Sequence, residues 1–222
     1  MKEIVLVGAS SSTCQNFIKT YKNNYNFTCL SRNTNYSDIE DFDILDANKY
    51  LNVEKQIDGL VYFPGSINLR QFSSLKTENF IEDFNINVLG LITALKFYQK
   101  KFNKGASVVV FSTVAAKLGM PFHASVATVK SAVTGLAKSL AAEWSPNIRV
   151  NCISPSIFKS EMSKRILSSE RMVEKISNNH PMKRHGETND ISSLINFLLS
   201  DDSSWMTGQD LSVDGGMSTL KL

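Results

Sequence analysis

Apolar residues along the chain fall into short blocks that are separated by longer stretches of mixed character. The short blocks are nearly continuous and rich in β-branched and aromatic residues, which is typical of strands that are covered on both faces. They comprise residues 4–7, 27–30, 60–63, 107–111, 149–153 and 211–213. Strands of this kind predict a parallel sheet with helices packed on both sides.

The stretches between the strands carry helical periodicity. Apolar positions repeat at helical spacing in residues 78–102 and again in residues 126–144. Asn189 and Asp190 can cap a further helix that runs through Leu199. Strands that alternate with helices predict an α/β fold, namely a doubly wound parallel sheet of the Rossmann type.

We expect this fold to form a single domain over residues 1–222, because a second full domain would leave both units too small. The stretch between Arg32 and Asp58 is polar and short, so the helix there is predicted to be abbreviated. Ligands of such sheets bind at the carboxyl ends of the strands, near the point where the strand order reverses. We therefore expect the functional residues to lie just after the strands.

Composition narrows the choice of partners. The net charge is only +3, which predicts neither a nucleic-acid partner nor a membrane partner. No apolar run approaches the ~20 residues of a bilayer span, and the N-terminus lacks the pattern of a signal peptide. The three cysteines and three histidines show no metal-ligand spacing. We therefore expect reduced thiols, a cytoplasmic protein and no metal site.

A turn suited to phosphate follows the first predicted strand. Gly8 closes that strand, and Ser10, Ser12 and Thr13 lead into an amphipathic helix. The amide groups and the positive dipole end of such a helix can hold a phosphate. The turn alone fits a plain strand-to-helix connection equally well.

The residues after the second strand bear on the choice of nucleotide. Arg32 lies there, and no acidic residue accompanies it. Dinucleotide folds place an acid at this point for the ribose of NAD and an arginine for the 2′-phosphate of NADP. The position favours NADP, with NAD as the alternative. It is also open that Arg32 is exposed to solvent and contacts no nucleotide.

Residues 125–136 resemble the active-site helix of the short-chain dehydrogenase/reductase family, whose mark is Tyr-x-x-x-Lys. Lys130 matches the lysine, whereas Val126 stands where the family has its proton-donating tyrosine. Residues 181–216 also match the C-terminal portion of the family closely. The resemblance spans almost the whole chain and lies nearest to the 3-ketoacyl-carrier-protein reductases. It implies an NAD(P)-dependent oxidoreductase that acts on a carbonyl or enoyl substrate.

The resemblance implies roles for three residues at the chemical end. Asn87 matches the asparagine that kinks a helix and holds a water. Thr113 matches the serine that polarises the carbonyl, with Ser112 as the neighbour if the alignment slips by one residue. Lys130 is expected on the nicotinamide ribose. Asn87 bonded to its own helix, and Lys130 snorkelling to solvent, are the alternatives.

Cofactor contacts are implied in the same way. In the phosphate turn Ser12 and Cys14 replace two of the three glycines of the family. Further contacts are expected from two segments beside the adenine and from the loop after the fifth strand. The implied cofactor-binding residues are Gly8, Ser10, Ser12, Thr13, Arg32, Asp43, Ile44, Gly65, Lys130, Pro155, Phe158 and Ser160. Tyr62 and Phe63 replace asparagines of the family and are expected to remodel the adenosine pocket with apolar bulk.

The missing tyrosine leaves the reaction open. His123 can replace it if its loop turns inward, although an exposed loop residue is the favoured interpretation; alternatively Lys130, Asn87 and Thr113 deliver a proton through water. The other functional hypotheses are a catalytically inactive relative that binds a dinucleotide or joins an oligomer, and an enzyme that uses the nucleotide for different chemistry.

The family implies two further features. One is a substrate lid over residues 156–185, polar and helical over about 161–179. Its excess of basic residues fits either a solvated face or an anionic, carrier-linked substrate. The other is assembly into a homodimer or homotetramer.

Overall fold

The computed structural model describes residues 1–32 and 42–221. Its centre is one sheet of six parallel strands in the order β2-β1-β3-β4-β5-β6. The strands are β1 (Lys2–Val7), β2 (Tyr25–Leu30), β3 (Ile57–Tyr62), β4 (Phe102–Phe111), β5 (Ile148–Pro155) and β6 (Asp210–Val213). All six predicted strands are present, and the predicted doubly wound fold of the Rossmann type is confirmed.

Helices flank this sheet. They are α1 (Ser12–Tyr21), α2 (Thr77–Phe84), α3 (Gly90–Tyr98), α4 (Ala124–Trp144), α5 (Glu170–Asn179) and α6 (Thr188–Leu199). A π-helical turn, Asn85–Leu89, joins α2 to α3. Short 3₁₀ turns lie at Ala47–Lys49, Phe72–Ser74, Gln99–Lys101, Val114–Ala116 and Asp201–Ser203. No helix in the described ranges is long and apolar enough to cross a membrane.

The two faces of the sheet pack into two apolar layers. Along β1, Val5 and Val7 face one layer, whereas Ile4 and Leu6 face the other, as the two-residue period of a strand requires. The first layer is completed by α3 and α4 and the second by α1 and α6. Both faces are buried, which is why the strands are nearly continuously apolar in sequence.

Three helix predictions need correction. The helix predicted over 78–102 is interrupted by the π turn. The helical part of the predicted lid begins only at Glu170. The last helix begins at Thr188, one residue before the predicted cap, and Asp190 lies inside it, where its carboxylate accepts the amide of Glu187 at 2.8 Å. Between β2 and β3, residues 42–56 contain only a 3₁₀ turn, as the abbreviated helix predicts, and residues 33–41 lie outside the described ranges.

The π turn has a visible local cause. In a regular helix the carbonyl of Asp83 would accept the backbone amide of Asn87, but here the Asn87 side-chain amide donates to it at 2.8 Å. The Tyr62 hydroxyl donates to the Ile86 carbonyl at 2.7 Å from the sheet side. The amide of Gly90 bonds instead to the carbonyl of Asn85, five residues back. The Asn87 side chain is thus bonded to the backbone of its own helix, which is the alternative that the sequence analysis left open, and it lies where the helix is interrupted.

The strand order reverses at β1, which has β2 on one side and β3 on the other. In sheets of this class the loops diverge at such a point and leave a crevice at the carboxyl ends of the strands. Four of the sequence-predicted residues lie at the carboxyl ends of strands: Gly8 follows β1, Gly65 follows β3, Thr113 follows β4, and Pro155 is the last residue of β5. The topology thus brings the sequence-predicted residues to one edge.

Candidate active site

A cavity of about 520 Å³ lies over the carboxyl ends of the strands. Its wall is mainly apolar, and its polar groups come from the N-terminus of α1, the end of β4, the inner face of α4 and the segment after β5. It brings together nine sequence-predicted residues: Ser12, Thr13, Gly65, Thr113, His123, Lys130, Pro155, Phe158 and Ser160. Val126 is part of the same wall.

The N-terminus of α1 supplies the amide donors of the cavity. Ser11 caps this helix by accepting the amide of Cys14 at 3.2 Å. The amides of Ser12 and Thr13 belong to the first turn, where a helix offers no internal acceptor. They are placed to meet an anion, together with the positive end of the helix dipole.

Gly8 is required at the start of this turn for two reasons. Its φ of +83° lies in the left-handed region, and a Cβ there would approach Pro64 Cδ to 2.8 Å. Cys14, at the position of a family glycine, is fully buried in the core beneath α1. A small side chain at that point lets the helix pack closely on the sheet.

Lys130 brings an ammonium group to the inner face of α4. The residue is only 8% exposed, and its Nζ donates to the carbonyl of Phe111 at 3.0 Å. Burial lowers its pKa from 10.5 to about 8, because the low-dielectric surroundings disfavour the charged form. Lys130 therefore does not snorkel to solvent, and one neutral acceptor is a small compensation for a buried charge.

Asn87 lies next to this ammonium. A Cβ on Gly65 would lie 3.3 Å from Asn87 Oδ1 and 3.5 Å from Lys130 Nζ, so only glycine leaves that space open. The Asn87 amide nitrogen is satisfied by Asp83 and Ser66, whereas its Oδ1 is buried without a hydrogen-bond partner. A buried orphan acceptor beside a buried donor marks a position for a polar group that bridges them.

Asp83 is a site residue that the sequence analysis missed. Its carboxylate is fully buried and accepts hydrogen bonds from Ser66 at 2.6 Å, Ser125 at 2.6 Å and Asn68 at 3.1 Å. It thereby ties α2 to the N-terminus of α4 and to the loop after β3. The sequence does show that Asp83 lies four residues before Asn87 and therefore on the same face of the predicted helix. An acidic residue on an amphipathic helix is, however, more often exposed to solvent.

Thr113 and Ser112 point in different directions, as alternation along a strand requires. The Ser112 hydroxyl donates to the backbone carbonyl of Lys130 at 3.0 Å and is buried. The Thr113 hydroxyl donates to the Pro155 carbonyl at 3.4 Å and accepts the amide of Ala115 at 3.3 Å. This long bond to Pro155 leaves Thr113 available to a ligand in the cavity.

The position that the sequence analysis aligned with the tyrosine of the family holds an apolar side chain. Val126 is buried on the cavity wall, and none of the described residues that line the cavity is a tyrosine. His123 is half-buried and lines the cavity, contrary to its interpretation as an exposed loop residue. Its Nδ1 lies 2.7 Å from the Pro121 carbonyl. The wall also contains Ser156 and His180, which the sequence analysis did not select.

Comparison with known proteins places this site in a family. The family model described as Enoyl-(Acyl carrier protein) reductase matches residues 33–218. The chain belongs to the short-chain dehydrogenase/reductase family. Whether it is nearest to the 3-ketoacyl-carrier-protein reductases stays a prediction.

Individual members of the family show how far the likeness extends. A chloroplastic tropinone reductase homolog of Arabidopsis thaliana is 34% identical over 149 residues, which are 67% of this chain and 44% of that protein. Human dehydrogenase/reductase SDR family member 4 is 33% identical over 60% of this chain and 49% of its own length. The chain thus spans about half the length of these curated relatives.

Solved structures of the family superpose along the full chain. ElxO with NADP bound has a TM-score of 0.86 and 27% identity, and the match covers 99% of this chain and 100% of that one. 4-hydroxyisoleucine dehydrogenase complexed with NADH has a TM-score of 0.87 and 23% identity, with 100% of both chains covered. Members of the same architecture therefore hold nicotinamide dinucleotides.

The site of this chain carries groups that fit such a molecule. The first residues of α1 and Lys130 line the same cavity, and the orphan Asn87 Oδ1 lies beside it, next to the space above Gly65. Among the residues described, no group of three or more His, Cys, Asp or Glu side chains is arranged to hold a metal ion.

Some predicted residues lie outside the cavity wall. Arg32 is exposed just beyond the end of β2. The Asp43 carboxylate accepts the amide of Leu45 at 2.9 Å in a local turn. Ile44 packs on the core, and a Cβ on Gly90 would approach its Cδ1 to 2.9 Å. Gly8, Ser10 and Asn87 lie behind or beside the wall and not on it.

The expected effect of Tyr62 was wrong. Its ring is buried in the layer beneath α3 and α4, and its hydroxyl bonds the π turn, so it adds no bulk to a ligand pocket. Phe63 does line the cavity and packs against Phe111 with ring centroids 5.4 Å apart. The alternation of a strand sends these two neighbours to opposite sides.

The segment after β5 covers one side of the cavity. Ser160 is tied into a turn by Ser163, whose amide bonds the Ser160 hydroxyl at 3.3 Å and whose hydroxyl donates to the Phe158 carbonyl at 2.6 Å. The basic residues of this segment, Lys159, Lys164, Arg165, Arg171 and Lys175, are all exposed. They form a solvated face, which is the first of the two interpretations given above.

Proposed function

We propose that the chain is an NADP-preferring oxidoreductase that acts on a carbonyl or enoyl substrate with a proton donor different from that of its family. The observation that carries this proposal is the cavity that connects the amide donors of α1 to the buried ammonium of Lys130. A lysine buried on an inner helix face is costly unless a ligand or water engages it. NAD is the alternative cofactor.

Each end of the nucleotide has matching residues in this proposal. Gly8, Ser10, Ser12 and Thr13 hold the diphosphate at the N-terminus of α1. Arg32 meets the 2′-phosphate, since a guanidinium offers paired donors to phosphate oxygens. The adenine lies beside Asp43 and Ile44. Gly65 leaves room for the ribose, which Lys130 and Asn87 bond.

The nicotinamide end is held by the segment after β5, through Pro155, Phe158 and Ser160. A nicotinamide dinucleotide supplies a hydride when it is bound. Thr113 polarises the substrate oxygen. The proton comes from a group other than a tyrosine, and the sequence analysis offers His123 or a water held between Lys130 and Asn87 as candidates.

The walls of the cavity favour an apolar substrate. The side chains beyond the proposed cofactor residues include Ile67, Leu69, Met120, Met162 and Ile166. Residues 156–185 act as a lid in this proposal, on a single domain that spans residues 1–222. We also propose a reducing compartment such as the cytoplasm, in keeping with the buried thiols of Cys14 and Cys152.

A catalytically inactive relative that binds the nucleotide or joins an oligomer is the second candidate. The observation that favours it is Val126, which fills the donor position with a side chain that cannot carry a proton. Loss of a positioned donor costs about 10²–10⁴-fold in rate.

Turnover separates the two candidates. We would follow NADPH oxidation by the wild type with a panel of alkyl ketones and enoyl thioesters, and repeat it with Val126→Tyr. Saturable oxidation by the wild type supports the enzyme. If only Val126→Tyr reduces ketones, the wild type is the inactive relative; if neither variant turns over although both bind NADPH, the oxidoreductase proposal is wrong.

A further inference from the structure

A buried histidine on the cavity wall is held in one tautomer. His180, at the end of α5, is 3% exposed, and its Nδ1 lies 2.7 Å from the carbonyl oxygen of Ile176. A carbonyl only accepts, so Nδ1 carries the proton and donates it. In the neutral ring Nε2 is then an acceptor, and the Ser156 hydroxyl lies 2.8 Å from it. A hydroxyl, an imidazole and an orienting acceptor thus form a connected set.

This pair lies beside the residues of the chemical end. β4 and β5 run in register, with Phe111 opposite Ile153, and the Thr113 hydroxyl donates to the Pro155 carbonyl. Ser156 is the next residue in the chain. Ser156, His180 and Val126 all line the same cavity. A protic group is therefore present on the wall that lost its phenol.

Charged groups lie close to His180 in a second cavity that Ser156 and His180 also line. Its charged and titratable side chains are Arg184, His185, Asp190 and Asp214. Burial raises the pKa of Asp214, but hydrogen bonds from Ser218 and Gly216 and the proximity of His180 lower it by more, so its carboxylate is ionised. The Ser156 hydroxyl, besides its contact with the ring, lies 3.3 Å from Met217 Sδ. The other titratable groups among the described residues that line the catalytic cavity are His123, Lys130 and Glu161.

We infer that Ser156 and His180 form a proton relay to the substrate oxygen, in place of the absent tyrosine; this inference rests on the oxidoreductase proposed above. As a hydride reaches the carbonyl carbon, the π electron pair moves to the oxygen, which takes the proton of the Ser156 hydroxyl. Ser156 regains a proton from Nε2 of the His180 imidazolium. The ring becomes the neutral Nδ1–H tautomer, and solvent recharges it after product release.

The relay specifies a substrate class. A ketone or aldehyde needs a proton on oxygen in the same step, so it requires this pair. Because the wall is mainly apolar, the carbonyl carries alkyl or aromatic substituents.

The first test needs no turnover. Histidine labelled with ¹⁵N in the ring gives three pairs of side-chain signals, one pair for each of the three histidines, and His180→Gln identifies one pair. We expect neutral His180 to be the Nδ1–H tautomer, and the same spectra recorded against pH give the midpoint of its titration. An Nε2–H tautomer overturns the relay, whatever the enzyme does.

The second test is kinetic. Ketone reduction by wild type is predicted to fall as the pH rises through the His180 midpoint measured by NMR. His180→Gln and Ser156→Ala should each lower kcat at least about 100-fold and abolish that limb. Ser156→Ala keeps the buried histidine and covers the possibility that His180→Gln fails to fold. Ser193→Ala, which changes an exposed serine of α6 outside both cavities that Ser156 lines, is the matched control.

The outcomes separate the two proposals. NADPH affinity unchanged in both relay variants, with turnover lost, supports the relay. Turnover retained within about threefold in Ser156→Ala or in folded His180→Gln overturns the relay and leaves the oxidoreductase standing. A wild type that binds NADPH but reduces no ketone overturns the relay together with the proposed ketone reduction.

Discussion

At the scale of single residues, Lys130 puts an ammonium group where burial opposes its charge. Its retention beside the orphan Oδ1 of Asn87 is understandable if both groups serve a ligand. Val126 and Lys130 lie one helical turn apart on α4, so an apolar side chain and a buried cation share this part of the helix.

The first prediction concerns pH and stability. The pKa of Lys130 is about 8 in the folded protein against 10.5 when exposed, so between these values the unfolded chain binds the extra proton. The free energy of unfolding of the wild type relative to Lys130→Met is therefore expected to rise by about 3 kcal/mol between pH 8 and 10.5. Urea melts at both pH values measure it. A constant difference between the two proteins contradicts the buried cation.

The second prediction concerns cofactor choice. Arg32→Asp removes a guanidinium and places a carboxylate beside the proposed 2′-phosphate. NADPH affinity should fall at least about tenfold, which corresponds to ~1.4 kcal/mol, whereas NADH affinity should hold or improve. Fluorescence titration of both nucleotides measures the ratio, with Arg171→Asp on α5 as the control. An unchanged NADPH-to-NADH ratio removes the NADP assignment.

At the scale of elements, the buried carboxylate of Asp83 holds α2, α4 and the loop after β3 together. Ser125→Ala deletes one donor to this charge and should cost about 1.5–3 kcal/mol of unfolding free energy. The exposed Ser131→Ala on the same helix should stay within about 0.5 kcal/mol. Chemical denaturation compares them. Equal stability of the two variants would mean that the Ser125 hydroxyl does not stabilise the buried carboxylate of Asp83.

The elements also show what the sequence could reveal. The strands were predictable because burial on both faces requires a continuous run of apolar residues. Helix α4 was predictable because its apolar residues repeat at helical spacing without interruption. The π turn was not, since it depends on Asn87 and Tyr62 competing for backbone groups across two elements. The roles of Asp83 and His180 were not predictable either. A single aspartate or histidine has no periodic pattern in the sequence, and its hydrogen-bond partners become known only from the fold.

At the scale of the whole molecule, large apolar side chains on and before α2 are exposed. Phe72 is 75% exposed and Ile81 54%, with Phe84 and Leu89 beside them in the chain. Phe72 also packs against Phe80 of α2 with ring centroids 6.4 Å apart, and exposed apolar side chains that lie together are typical of a protein contact. We propose that it joins copies of the chain into a homodimer or homotetramer.

Sedimentation tests this assembly. The wild type at about 10 µM, within the affinity range of specific assemblies, should have a mass that is two or four times 24.7 kDa. Ile81→Glu should dissociate it by placing a charge in the contact, whereas Met172→Glu on α5 should leave it intact. A wild-type monomer at that concentration contradicts the proposal.

We propose that a nicotinamide nucleotide lies over the carboxyl ends of the strands and is bonded by Lys130. Calorimetric titration of the wild type and of Lys130→Met with NADPH tests this placement most directly, with the exposed Lys138→Met of the same helix as the control. We expect one saturable site with a Kd below about 1 mM, weakened at least about tenfold by Lys130→Met alone. No binding by the wild type, or equal affinity in Lys130→Met, would contradict it.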